Sequence, residues 1–531
     1  MTTIMILGAG TMQLPAIRIA KSRGWRVVVA DGNPDAEGKG LCDTFAQVDL
    51  KDRDGLVDFA RSCRASGGLD GVFTAGTDFS ASVAWVAEKL GLPGIPYEVA
   101  QRATDKALMR EAFAREGVPS PRFACWTGGG DPSAAARGFA FPLVVKPVDN
   151  MGARGVRRVD GAAELEEACR EALPLSRTGR VIIEEFMEGA ELSLDAVVYR
   201  GAVTVCGVAD RHIFFPPYFV ELGHTMPTDL GPGIEKEACA VFEAGIRALG
   251  IDTGAAKGDI KVTPRGVMIG EIAARLSGGY MSGWTFPLSS GVDVTGAALT
   301  IAVGLPPGDL APRLARVSAE RAFISIPGTV REITGLDRAR AVQGVTDVFA
   351  RVGPGGRVVF PRNNVEKCGN VIAVDVDRRE AVRIARAAIA CICLRLEPLD
   401  TRTDDFLFGE GVHAFPAGAR RAARGLAALP PWEGEAALFR PGAALPVLPL
   451  EGWHAIEDED WHGAGFVQSA RQALEECNAR LVGPGGGFAI GRLFWSCLLR
   501  GSRQGALYLA DSVRAAASRG QLAAFLGRAC G

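Results

Sequence analysis

Short apolar runs alternate with stretches of helical periodicity through the first hundred residues. Residues 3–7 (Thr-Ile-Met-Ile-Leu) read as a buried strand, Gly8-Ala9-Gly10 as a turn, and residues 13–23 as a helix. A second run, Val27-Val28-Val29-Ala30, ends in Asp31; a helix near 52–65 and a strand near 69–73 follow. Strands alternating with helices predict a doubly wound parallel sheet. The glycines resemble a dinucleotide fingerprint, but position 13 is Gln, so a plain strand–helix turn is the preferred reading.

Residues 105–116 form a predicted helix that Gly117-Val118-Pro119 ends. The texture then changes to strands and hairpins: 141–146, a loop at 147–155, 156–159, 181–185, and 191–199 with 202–209 around Arg200-Gly201. A helix at 233–249 precedes strands at 253–262 and 267–274, joined at Pro264-Arg265-Gly266. Residues 320–398 read as one α+β unit, with strands at 321–326, 347–352, 357–360 and 371–376 and a helix at 379–396. Gly, Pro, Ala and Arg dominate 409–450, and helical patterns return at 466–482 and 489–529. The expected organisation is therefore α/β and α+β. An N-terminal α/β domain covers 1–100, a nucleotide-binding module 101–320, a small α+β unit 321–400, and a mainly helical extension 401–531.

Composition narrows the function classes. The 531 residues suit roughly three to four domains. A net charge of −2 gives no basic footprint, so no nucleic-acid partner is expected. The longest apolar stretches are too short to span a bilayer, so no membrane partner is expected. No basic n-region precedes the first apolar run, so no signal peptide is read. The 12 cysteines form no C-x-x-C pair, which suits reduced thiols and a cytoplasmic location.

Three constellations carry chemistry. Lys146 ends a strand, and the loop Pro-Val-Asp-Asn150-Met-Gly152-Ala-Arg-Gly155 folds back into the next one. Such a loop can cradle phosphates with backbone N–H groups, or be a plain hairpin with a solvated lysine. In Val181-Ile-Ile-Glu184-Glu185-Phe-Met187-Glu-Gly-Ala-Glu191, the strand end could offer groups to an adenine edge and Glu191 could accept from ribose hydroxyls. A solvated acidic strand end is the plainer reading. Third, if Pro264-Arg265-Gly266 is the hairpin loop, paired residue numbers sum to 530 and Asp259 faces Glu271. Opposed carboxylates repel unless a cation lies between them, and Mg²⁺ wants such oxygens. Neutralisation by Lys257 and Lys261 is the weaker alternative. Alternation would put Arg275 on the Glu271 face. Further on, Trp453-His454 and Trp461-His462 flank an acidic run that reads as a solvated loop rather than a metal site.

The order of these parts resembles the ATP-grasp superfamily over about residues 1–400, and Glu271-Ile-Ala-Ala-Arg-Leu-Ser-Gly-Gly with the 321–398 unit resembles its L-amino-acid ligase branch. The resemblance implies that Lys106 and Lys146 hold the nucleotide phosphates together with the loop of Asn150, Gly152 and Gly155. It implies that Glu184, Glu185 and Met187 line the adenine edge and that Glu191 takes the ribose. It further implies that Asp259 and Glu271 bind Mg²⁺ (with Mn²⁺ able to stand in), that Arg275 acts on the acyl phosphate, and that His224 and Glu221 lie near the substrate. As a lone histidine, His224 reads more plainly as a hydrogen-bonded loop residue. Position 273 is Ala where many members carry Asn as a third metal ligand, position 153 is Ala where a hydroxyl often sits, and Asp259 replaces a longer Glu. The implied activity is an ATP-dependent carboxylate–amine ligase on small-molecule substrates, to which a homodimer is open. The rival is a catalytically silent nucleotide- or partner-binding module with an interaction domain at 401–531. There is no Walker A loop, no G-x-S-x-G and no H-E-x-x-H, which removes support from P-loop and hydrolase readings.

Overall fold

The computed structural model describes residues 1–409, 437–439, 472–473, 475–476, 488–490 and 492–530. The paired Trp-His motifs at 453–462 and most of the helix expected at 466–482 lie outside the described residues. Two compact units are present: Met1–Glu320 with Val374–Arg378, and Arg321–Ala373 with Arg379–Gly531.

The first unit opens on a parallel sheet of β1 (Thr3–Leu7), β2 (Arg26–Asp31), β3 (Thr44–Gln47) and β4 (Gly71–Phe73), in the order β3-β2-β1-β4. Every residue of β1 is buried, as its unbroken apolar run requires. The glycine turn after β1 is filled by its own chain. Gly10 N–H donates to Gln13 Oε1 at 3.1 Å, and Gln13 Nε2 donates to Ala75 O. The glutamine that breaks the dinucleotide pattern thus occupies the helix N-terminus that a pyrophosphate would need.

A second, antiparallel sheet holds β5 (Phe123–Trp126), β6 (Leu143–Pro147), β7 (Arg157–Val159) and β8 (Val181–Glu185) in the order β5-β8-β6-β7. A third contains β9 (Ala190–Tyr199), β10 (Ala202–Phe214), β11 (Val220–Met226), β12 (Gly254–Thr263) and β13 (Gly266–Ala273), running β13-β12-β9-β10-β11. One face of this third sheet is apolar. Leu192, Leu194, Ala196, Ile260, Ile269 and Ile272 share a core with Phe113 of the helix Lys106–Arg115 and Phe242, Ile246 and Leu249 of the helix Pro232–Leu249. Fully burying one such side chain stabilises by about 1.5–3 kcal/mol. Gly258 permits the close approach, since a Cβ there would stand 2.6 Å from the Phe242 ring. The other face carries Glu191, Ser193 and Asp195 of β9 and Lys257, Asp259 and Lys261 of β12, by simple pleat alternation.

In the second unit, strands Gly328–Thr334, Arg357–Val358 and Cys393–Leu396 form a three-stranded sheet with Gly328–Thr334 in the middle. The helix expected over 379–396 stops at Cys391, because the residues after Ile392 pair with Gly328–Thr334 as a strand instead. The strand expected over 321–326 starts earlier, as Val317–Phe323. The boundary expected near 400 is not a boundary between units. Leu407, Phe494, Leu498, Leu507 and Leu509 share one core with Val330, Leu394 and Leu396. Gln504 of the helix Arg492–Ser518 accepts from Ile326 N–H at 3.1 Å and donates to Leu394 O at 3.0 Å. The extension supplies apolar cover that a short sheet cannot provide for itself.

Candidate active site

The candidate site is built on the polar face of the third sheet and the adjoining edge of the second. β12 and β13 are joined by a two-residue turn, Pro264-Arg265, with Thr263 opposite Gly266. A register shift between Ile260 and Asp259, made by the extra residue Gly270, then sets Asp259 opposite Glu271. The pairing expected from the sequence is therefore reached, through a tighter turn and a bulge rather than a three-residue loop.

Both acids stay ionised. Burial works against the charge of Glu271, but Lys106 and Lys257 outweigh it and hold its carboxyl below the usual range. Burial likewise opposes the charge of Asp259, and Arg211 and Lys257 outweigh it. Lys257 Nζ is ion-paired with Asp259 Oδ2, and Ser193 Oγ donates to Asp259 Oδ1 at 3.3 Å. Lys261 turns instead to Glu191, at 2.7 Å. Glu271 has Lys106 Nζ at 3.6 Å and keeps 31% of its side chain exposed. Two ionised carboxylates in register, one of them open, are a donor set that fits a hard divalent cation completed by phosphate oxygens and water. Among the described residues, no group of three or more His, Cys, Asp or Glu is placed to hold a metal.

The two lysines sit beside this pair. Lys106, at the first position of its helix, is buried and donates to Asn150 O at 2.8 Å. Asn150 Nδ2 in turn donates to Leu175 O at 3.0 Å, which pins the loop after β6. Gly152 and Gly155 of that loop adopt left-handed backbone, at φ 68° and 72°. Asp149 accepts from the N–H groups of Arg177 and Thr178 at 3.0 and 2.8 Å, closing the loop from the other side. Lys146 Nζ lies 2.7 Å from Glu184 Oε2. Glu184 also receives Arg110 Nε at 2.9 Å, and Arg110 Nη2 donates to Gly270 O at 2.5 Å. The fully buried Arg110 therefore ties the Lys146–Glu184 pair to the bulge that aligns the two acids. Burial opposes the charge of Glu184, yet Arg110 and Lys146 hold its carboxyl low. Its side chain is thus held by two cations. Glu185, on the opposite pleat, faces Arg122 at 3.1 Å and Arg265 at 3.8 Å, and Met187 is half-buried near Gly270.

Sequence reasoning missed the group at the centre. Arg211 of β10 contacts Glu191 at 3.0 Å, Glu221 at 2.8 Å and Asp259 at 3.4 Å. The strand was expected to stop at 209; it runs to Phe214, and the hairpin register places Arg211 directly opposite Glu191. Glu221 and His224 lie on β11, a fully buried strand where a loop was expected. His224 Nδ1 is 3.1 Å from Glu320 Oε2, and Nε2 is 3.5 Å from Glu221 Oε2. Burial pushes the imidazole pKa down, but Glu221 and Glu320 outweigh it and raise it to about 9.

That shift makes stability depend on pH. The folded protein holds the His224 proton more tightly than the unfolded chain, whose histidine titrates near 6.5. The resulting stabilisation is complete below about 6.5 and is lost as pH rises through about 9. His224→Gln should therefore melt well below wild type at pH 6, with the gap in Tm narrowing by pH 10. A gap that stays constant across calorimetric scans over that range would show that His224 does not titrate there.

Arg275 departs from its expected setting. β13 ends at Ala273, so strand alternation does not reach Arg275, and a turn closed by Arg275 N–H to Ala273 O at 2.9 Å places it instead. Its Nη1 donates to Leu276 O at 3.0 Å, while its buried Nε has no hydrogen-bond partner among the described residues. Asp195, buried with its pKa raised by that burial to about 6, accepts from Ser277 N–H at 2.9 Å and fixes the chain just beyond.

Comparison with known proteins matches residues 139–283 to the ATP-grasp domain and 322–397 to the L-amino acid ligase C-terminal domain 2. The uncharacterized protein y4rH of Sinorhizobium fredii is 30% identical over 368 residues, covering 68% of this chain and 75% of that one. The chain belongs to the ATP-grasp superfamily. Among relatives of this ATP-grasp protein, carnosine synthase 1 of Gallus gallus is 26% identical over 57% of the chain. The match spans only 35% of that synthase's length. The crystal structure of the L-amino acid ligase from Bacillus licheniformis superposes with a TM-score of 0.66 at 22% identity, covering 75% of this chain and 99% of the other. The mixed α/β ATP-grasp fold is thereby shared. No described helix is long and apolar enough to cross a membrane.

Proposed function

We propose that this protein is an ATP- and Mg²⁺-dependent ligase joining a carboxylate to an amine, with amino acids as the class of both substrates. The observation that carries the reading is the in-register pair Asp259–Glu271 beside Lys106 and Lys146. The amino-acid class is supported by the match to the L-amino acid ligase C-terminal domain and by the carnosine synthase relatives.

Mg²⁺, held by Asp259 and Glu271, would neutralise phosphate charge. Lys106 and Lys146 bind and orient the phosphates as point charges, and the loop Asn150–Gly155 approaches them with backbone N–H groups. Glu191 accepts from ribose hydroxyls, and the chain around Glu185 and Met187 borders the adenine. A substrate carboxylate oxygen attacks the γ-phosphorus, the bond to the β-phosphate oxygen breaks, and ADP leaves. An amine nitrogen then attacks the acyl carbon; phosphate departs as the amide forms, and the amine loses a proton. Arg275 offers donors to the oxygen that gains charge, and His224 with Glu221 faces the amino-acid substrates.

The test is ADP release over a panel of amino acids taken singly and in pairs, with mass spectrometry of products. ADP formation with a product heavier than either acid, by condensation with loss of water, is expected for at least one pair. Tight ATP binding with no ADP from any pair would favour a silent nucleotide-binding module instead.

A further inference from the structure

Resting on the ligase reading, we propose that the Lys257 ammonium is a resident cation of this site. It takes the place of a second metal ion, so that the nucleotide enters with one divalent ion only. Lys257 stands between Asp195 on β9 and Ala273 on β13 in the strand register. The pleat puts all of these on the face that carries Asp259 and Glu271. Its Nζ is ion-paired with Asp259, and only 14% of its side chain is exposed.

The residue across from it completes the argument. Ala273 offers a methyl group where a third oxygen ligand could have pointed into the site, and its side chain is buried. Asp195 is taken up by Ser277, so Asp259 and Glu271 remain as the facing pair, and Asp259 already shares an oxygen with an ammonium. A hard divalent ion seeks about six oxygens, so this set suits one ion completed by phosphates and water and leaves a second undersupplied. A lysine ammonium is a compact, strongly hydrated point charge with three donors; anchored on Asp259 it can still present a donor to a phosphate oxygen. The arrangement supplies fixed positive charge without any dependence on free metal.

The experiment counts metal directly. Full-length protein saturated with the non-hydrolysable β,γ-imido analogue of ATP is titrated with Mn²⁺, and free Mn²⁺ is read by electron paramagnetic resonance. Wild type should bind one Mn²⁺ per bound analogue. The double variant Lys257→Ala with Ala273→Asn, which removes the ammonium and restores an oxygen, should bind two; Lys257→Arg, which keeps a cation, should stay at one. Two ions in wild type would overturn the proposal without any variant having to fold. One ion in both wild type and the double variant would also overturn it, because Lys257 would then not be what excludes the second. Failure of the analogue to bind at all, by calorimetry, is the separate result that removes the ligase reading itself.

Discussion

Glu271→Gln is expected to abolish Mg²⁺-dependent turnover while leaving the fold intact. The amide is isosteric, and Glu271 contacts Lys106 only at 3.6 Å with nearly a third of its side chain exposed. With that contact long and Glu271 part-exposed, the amide is expected to keep the fold. Its chemical role is larger. Of the two ionised carboxylates in register, Glu271 is the one not already paired to a lysine at short range, and so the one best able to give an oxygen to a cation. Losing such an electrostatic group in a preorganised site costs on the order of 10²–10³ in rate. Steady-state ADP release at saturating ATP and Mg²⁺, alongside a thermal melt, checks both halves. Near-wild-type turnover would remove Glu271 from the metal site, and a collapsed melt would show that it is structural.

The sheet that carries this site was legible because its two faces obey opposite rules. Glu191, Ser193 and Asp195 alternate with Leu192, Leu194 and Ala196, and Lys257, Asp259 and Lys261 alternate with Gly258, Ile260 and Val262. An apolar face packs under helices, and a face with that many charges has to hold them for one another or for a ligand. The carboxylate pair followed from the same pleat. What was not legible lies in long-range pairing. Glu320 meets His224 across 96 positions of chain, and nothing local to either residue signals it. Arg110 stands one helical turn beyond Lys106, so its shared face could have been read, but its partners Glu184 and Gly270 are 74 and 160 residues away. Arg211 was within reach: extending the hairpin beyond 209 would have set it against Glu191, where opposite charges across a ladder are favourable. The helical pattern near 489–529 was read correctly as helix, but its packing partner was not, because amphipathic periodicity gives the face to be buried and not what covers it.

Arg275 is where the second large effect is expected. The turn after β13 holds its backbone, and Leu276, which accepts from its Nη1, is itself bridged to Ala75. Ser277 is locked by Asp195 through both its N–H and its hydroxyl. The guanidinium is therefore fixed in place while its buried Nε keeps an unused donor among the described residues. A buried donor without a partner costs roughly 1–3 kcal/mol, a cost that an oxygen arriving with the substrate would recover. If that oxygen gains charge only as the reaction proceeds, the interaction strengthens in the transition state and raises turnover rather than binding. Arg275→Lys keeps the charge but loses the planar fork, and Arg275→Ala loses both. Both are expected to lower kcat on the order of 10²-fold or more, with ATP affinity by calorimetry nearly unchanged. Weakened ATP binding with normal kcat would mean that Arg275 grips phosphate in the ground state. Unchanged kinetics in both variants would mean that Arg275 serves to hold the turn through its bond to Leu276 O, and that the charge on the reacting oxygen is met by other donors of the site.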